Sequence, residues 1–108
     1  MKRGDLVTAR FSREIGKPRP ALIVQADRFD VLGSIVLCPL TSDLDDDLPI
    51  RVTINPSPTN GLQVPSRIMV DKIFAVSRER CGDLIGAAEP DVVAMVDQRL
   101  LVMLGLAD

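Results

Sequence analysis

Apolar residues along this chain recur at two different periods. Between Leu6 and Ala87 they come in short runs of period two or less, and from Val92 to Leu104 they recur at helical spacing. The first pattern marks strands and the second marks a helix. Leu6-Val7-Thr8-Ala9-Arg10-Phe11 predicts a first strand, and Ser12 to Pro18 is polar and glycine-containing, hence a loop. Pro20 to Gln25 is a continuous apolar run, the mark of a strand buried on both faces. Ala26 to Gly33 connects it to the next strand, with room for one helical turn around Phe29. Ser34 to Leu40 is rich in β-branched residues and forms a third strand. Pro39 has no amide to donate, so this strand should end there or meet a sheet edge. Ile50-Arg51-Val52-Thr53-Ile54 alternates cleanly as a fourth strand, Ser66 to Val76 supplies a fifth and Leu84 to Ala87 a short sixth.

The last segment starts at Pro90, a residue suited to the first helical position, and stops at Gly105, a natural left-handed terminator. The helix predicted over Val92 to Leu104 has more apolar residues than one stripe needs, and Met95 and Val102 share a side with Asp91 and Gln98. Such a helix buries more than one side, against a second copy of the chain or in a deep groove of its own domain. Several short strands followed by one helix predict a mainly β fold, a small, strongly curved antiparallel sheet or barrel with a C-terminal α-helix. No repeat or long linker interrupts it, so residues 1–108 form a single domain.

Composition narrows the chemistry. The chain has no His, which excludes Ser/His/Asp and Cys/His triads and every histidine-based metal site. Cys38 and Cys81 stand far apart, outside any Cys-x-x-Cys motif, and read as two buried free thiols in a reducing compartment. No apolar run reaches the ~18 to 20 residues that span a bilayer, and no signal-peptide apolar region opens the chain, so a cytoplasmic protein without membrane contact is expected. Charge is uneven. Met1 to Arg28 carries seven Lys or Arg against three acids, whereas Phe29 to Ile50 carries five Asp and no base. Asp43 to Asp47 lacks the glycine and terminal Glu of a calcium loop and reads as solvated; no metal or other cofactor is expected.

Three clusters at strand ends or in loops carry candidate chemistry: Glu14 with Lys17 and Arg19, Thr41 with Ser42, and Ser66 with Asp71. Arg19 stands between Pro18 and Pro20, which restrict its backbone and anchor its guanidinium at the mouth of a buried strand. An anchored cation suits phosphate. A surface ion pair for Arg19 and simple turn chemistry for Thr41 and Ser42 are the alternatives.

These segments, in order, carry a resemblance. Lys2-Arg3-Gly4-Asp5, Gly16-Lys17-Pro18-Arg19-Pro20-Ala21-Leu22-Ile23-Val24, Pro39-Leu40-Thr41-Ser42, Asn60-Gly61-Leu62, Ser66-Arg67-Ile68-Met69-Val70-Asp71-Lys72 and Leu104-Gly105-Leu106 span nearly the whole chain. With this spacing the chain resembles the MazF/PemK family of toxin endoribonucleases. The resemblance implies an SH3-like small β-barrel of the MazF/PemK/CcdB type, found as a homodimer. It implies metal-independent, sequence-specific cleavage of single-stranded RNA, restrained by a cognate antitoxin. The family's functional Arg corresponds to Arg19, although Pro18 is an extra residue between the Lys and the Arg. The family Thr corresponds to Thr41, and an acidic residue five before the Arg corresponds to Glu14. Asp71 matches an Asp used by some members, but the Arg two positions before it is Met69 here.

RNA carries its own nucleophile, the 2′-OH, so such an enzyme needs neither Ser, Cys nor metal. Arg19 offers forked donors to the phosphoryl oxygens, and Thr41 a hydroxyl to the phosphate or the 2′-OH. Glu14, Asp71 and Arg19 itself are the side chains left to carry a proton; Glu14 is preferred because deprotonating Arg is costly at neutral pH. Arg13, Lys17 and Arg67 are candidate phosphate contacts, with Ser42, Ser66 and Asp71 also expected at the RNA. The acidic loop Asp43 to Asp47 is expected to point away from the groove or mark its edge. A non-catalytic toxin of the same fold, gripping a protein such as DNA gyrase, is the rival reading.

Overall fold

Strand β1 (Asp5–Ala9) buries side chains on both sides, because its alternate residues feed two apolar clusters. The computed structural model describes residues 1–11 and 17–108. Leu6 meets Leu22, Cys38 and Leu40 in one cluster, and Val7 and Ala9 meet Ala21, Ile23, Ile35 and Leu37 in the other. Those partners come from β2 (Arg19–Ile23) and β3 (Ser34–Thr41), so the continuous apolar run of the second strand is buried on both faces as its composition requires. Between them, Asp27–Phe29 makes the single helical turn expected near Phe29. The remaining strands are β4 (Val52–Ile54), β5 (Ser66–Ile68), β6 (Phe74–Ser77) and β7 (Cys81–Ala87). All pairs are antiparallel, in the order β4-β5-β3-β2-β1-β7, with β6 also on β3. The sheet curls into a half-barrel.

Two expectations are corrected. The stretch from Ser66 to Val76 is two strands, because β5 pairs with the end of β3 at Leu40 and Thr41 while β6 pairs with its beginning, Ser34 to Leu37. A 3₁₀ turn at Val70–Lys72 links them and drives Val70 into the core. The third strand also does not stop at Pro39; it runs on to Thr41. The Pro39 carbonyl accepts the Met69 N–H at 2.9 Å, on the side of β3 away from β2. In an extended strand a residue's N–H and C=O face the same way, so the missing donor falls in the interval between β6 and β5. No ladder bond is lost there.

Helix α1 (Pro90–Met103) begins with Pro at its first position and ends as expected, with Gly105 at φ 74°. The Leu106 and Ala107 amides close back onto the Leu101 carbonyl, which satisfies the open end of the helix. Val92, Val93, Val96 and Leu100 pack over the cluster of Leu6 and Leu22. A deep groove of its own domain does not enclose the other apolar residues: Met95, Leu101, Val102 and Met103 are each 42–45% exposed. Among the described residues no helix is long and apolar enough to cross a membrane. Both cysteines are free. Cys38 is fully buried and burial, then the nearby Asp71 charge, pushes its thiol up to about 12, whereas Cys81 stays partly exposed.

Candidate active site

The register of the central strands builds the site. β2 and β3 pair Ala21 with Pro39, Leu22 with Cys38 and Ile23 with Leu37; carried two residues further, this sets Arg19 opposite Thr41. Ala9 lies opposite Arg19 on the other flank, and Arg67 opposite Thr41. Directly opposed residues share a face of the sheet. Arg19, Thr41 and Arg67 therefore form a row across three strands, beside the buried Ala9.

An open groove of about 410 Å³ follows this row, lined by Lys17, Arg19, Thr41, Ser42, Val64 and Ser66 among others. Arg19 is exposed, and among the described residues no hydrogen bond or ion pair engages its guanidinium. Thr41 Oγ1 accepts the Asp43 amide at 3.1 Å. This is the turn chemistry given above as the alternative for Thr41, and it leaves the hydroxyl's own proton to be donated. Ser66 is buried and gives its hydroxyl proton to the Val64 carbonyl at 3.1 Å, which shapes the groove wall.

Arg67 is placed otherwise than the sequence led one to expect. Its Nη1 donates to the Asp46 carboxylate and carbonyl, both at 2.7 Å, and its Nη2 to the Leu48 and Arg51 carbonyls at 2.9 and 3.0 Å. Its Nε is buried without a partner. A guanidinium so committed is a clasp on the acidic loop and has no donor turned to a ligand. Asp71 is likewise taken. Both its oxygens receive Arg51, Nε and Nη2 each at 3.0 Å, and these bonds hold its carboxyl below the usual carboxylate range against the opposing effect of burial. The third Arg51 nitrogen reaches Asp46 at 3.1 Å. Burial pushes the Asp46 carboxyl up, but the Leu48 amide and the Arg67 and Arg51 charges outweigh it and hold the group low. Asp46 is thus ion-paired and only partly exposed, unlike the exposed Asp43, Asp45 and Asp47.

The structure accordingly gathers Lys17, Arg19, Thr41, Ser42 and Ser66 in one groove and leaves Arg67 and Asp71 in a separate ion-pair network. Arg13 and Glu14 lie outside the described residues.

A model of the PemK-like, MazF-like toxins of type II toxin–antitoxin systems matches residues 2–104. The chain belongs to this family. It is 44% identical to the probable endoribonuclease MazF of Mycolicibacterium smegmatis, covering 99% of each chain. MazF from Deinococcus radiodurans superimposes with a TM-score of 0.80 at 29% identity, over 97% of this chain and 96% of that one. A MazE–MazF structure from the same organism gives 0.78 at 29% identity, over 99% and 97%.

Two parts of the toxin had little signal in the sequence. Asn60 entered the sequence reading only as part of the Asn60-Gly61-Leu62 segment, yet it is fully buried and ties the loop before β5 to the start of α1. Its Oδ1 accepts the Ser57 and Leu62 amides, both at 3.0 Å, and its Nδ2 donates to the Asn55 carbonyl at 2.8 Å and to Glu89 at 3.1 Å. Val64, which this loop carries to the groove, and Gln63, which it carries to an adjoining concavity, were also missed. The adjoining Asn-Gly pair was the available clue, since Gly61 adopts φ 70° and a Cβ there would lie 2.3 Å from the Ile85 carbonyl oxygen.

Proposed function

We propose that this chain is the toxin of a type II toxin–antitoxin system and acts as a metal-independent endoribonuclease on single-stranded RNA, cutting at short sequences. The observation that carries the reading is the groove in which Arg19 stands opposite Thr41, with Lys17 and Ser42 beside them. That is a phosphate site whose hydroxyls have no His to activate them, and RNA supplies the nucleophile itself. The 2′-OH gives up its proton and attacks the adjacent phosphorus, the bond to the 5′-oxygen breaks, that oxygen takes a proton from water, and a 2′,3′-cyclic phosphate and a 5′-OH result.

Arg19 stabilises the charge on the non-bridging oxygens through its planar fork, which a Lys does not reproduce. Thr41 donates its hydroxyl proton to the same phosphate, its lone pair already held by the Asp43 amide. With Asp71 committed to Arg51, Glu14 is assigned the removal of the 2′-OH proton, on the sequence alone. Lys17 and Ser42 contact neighbouring phosphates, and Arg13, from its place in the sequence, adds to them. The exposed apolar side of α1 supports pairing of two copies, and an acidic, partly disordered antitoxin segment fits the cationic groove in place of RNA. Cytoplasmic action follows from the proposed substrate. A protein-gripping toxin has no need of this Arg–Thr pairing, so the nuclease reading is preferred.

The test is incubation of the pure protein with a long single-stranded RNA in EDTA. Fragments ending in 2′,3′-cyclic phosphate are expected, and Arg19→Ala should slow their formation by roughly 10² to 10³, the usual effect of one preorganised donor. Intact RNA, or cleavage indifferent to Arg19→Ala, refutes the proposal.

A further inference from the structure

A second concavity of about 340 Å³ opens beside the phosphate groove and shares Pro20, Val64 and Ser66 with it. Its other walls are Leu62, Ile85 and the backbone of Gly61, and the one long polar side chain at its rim is Gln63. No cation lines it, so it is not an extension of the phosphate track. It also has a rigid floor. The Gly61 amide binds the Ser57 carbonyl at 3.0 Å and the Leu62 amide binds the buried Asn60, so the segment that presents Gln63 is held from behind. Any side chain at Gly61 would collide with the Ile85 carbonyl, and any at Gly86 would lie 2.5 Å from the Asn60 carbonyl. The close packing of this loop on β7 therefore depends on two glycines.

An apolar slot with one amide at its lip, next to a phosphate site, has the chemistry of a flat ring with a polar edge. A nucleobase fits that description; a sugar or phosphate does not. Bases that are unstacked in single-stranded RNA are held by burying their faces and hydrogen-bonding their edges. The Gln63 amide carries both a donor and an acceptor, and among the described residues neither is engaged. Resting on the nuclease reading, we infer that this slot receives the base next to the cleaved phosphate and that Gln63 reads its edge, making Gln63 a specificity determinant.

The experiment uses the full chain and a pool of short single-stranded RNAs randomised around the cut. The 5′-OH fragments are sequenced to give base preference at each flanking position, as ratios independent of overall rate. Gln63→Leu keeps the size and apolar stem but removes donor and acceptor. The expected result is that preference falls by about tenfold or more at one flanking position, the discrimination one bidentate contact supplies, and stays unchanged at the others. Gln63 is exposed, and equal melting temperatures establish that the variant folds. If wild type cuts and Gln63→Leu keeps every preference, or loses all evenly, the base slot is refuted while the nuclease reading stands. If wild type cuts no RNA, both fall.

Discussion

Replacing Asn60 by Ala removes the bolt between the 55–62 loop and the start of α1. Four partners lose their bond at once: the Ser57 and Leu62 amides, the Asn55 carbonyl and the Glu89 carboxylate. Each bond is worth about 1 kcal/mol, and more where it meets a charge or leaves a buried group bare, so the loss should be about 3 to 5 kcal/mol. That is a fifth or more of the roughly 5 to 15 kcal/mol by which a domain is stable. Urea denaturation monitored by far-ultraviolet circular dichroism measures it, and a loss under about 1 kcal/mol would refute the reasoning. Asn60→Asp is a sharper probe, because it preserves the acceptor and sets a second carboxylate against Glu89. In the wild type the Ser57 hydroxyl is the main influence that holds the Glu89 carboxyl below its ordinary 4.5, with Asn60 assisting against burial. A lowered carboxyl gives stability above its unfolded value and loses it as pH falls through the folded one, so wild type should weaken below about pH 4.5. In Asn60→Asp one carboxyl of the pair is raised instead. Its destabilisation is full at neutral pH and should fade as pH falls toward 4, the reverse of wild type. Parallel pH profiles would show that the two groups do not meet as described.

Two further outcomes follow from other parts of the molecule. Arg67→Met should release the acidic loop from β5 and leave Asp46 to Arg51 alone, lowering stability; protease nicking between residues 42 and 50 before global unfolding is the readout, and unchanged resistance would contradict the clasp. If two copies pair through the exposed apolar side of α1, as proposed, wild type should sediment as a dimer and Leu101→Glu as a monomer; an assembly unaltered by the substitution would refute that pairing surface.

The chain announced β2 and α1 because each is decided locally. Ala21, Leu22 and Ile23 are all apolar because both sides of β2 are covered, and Pro90 and Gly105 bound the helix through their own backbone preferences. That Arg19 and Thr41 would stand at strand ends was legible for a similar reason, since each adjoins an apolar run. The split between β5 and β6 was not, since Ile68, Met69 and Val70 look alike in sequence. Only the two halves of β3 decide which residues pair and which turn. Pro39 misled because a missing amide matters only where a partner waits for it. Arg67 misled because its partners, Asp46, Leu48 and Arg51, lie 16 to 21 positions away and no local pattern couples them.

The clasp also explains how the four Asp residues between Asp43 and Asp47 coexist with a groove proposed to hold phosphate. The loop that leaves Thr41 is folded on itself, with the Asp45 amide on Asp43 and the Leu48 amide on Asp46. Asp46 turns to Arg51 and Arg67, and Asp71 closes the network, so two guanidinium charges meet two carboxylates with no net charge left over. Arg67 flanks Thr41 on one side as Arg19 does on the other, yet only Arg19 and Lys17 bring charge to the groove that nothing among the described residues offsets. A phosphate drawn there is attracted to the β2 side of Thr41 and gains nothing on the β5 side. The same asymmetry leaves the wall nearest Val64 and Gln63 without charge, which is where a base, having none, can sit.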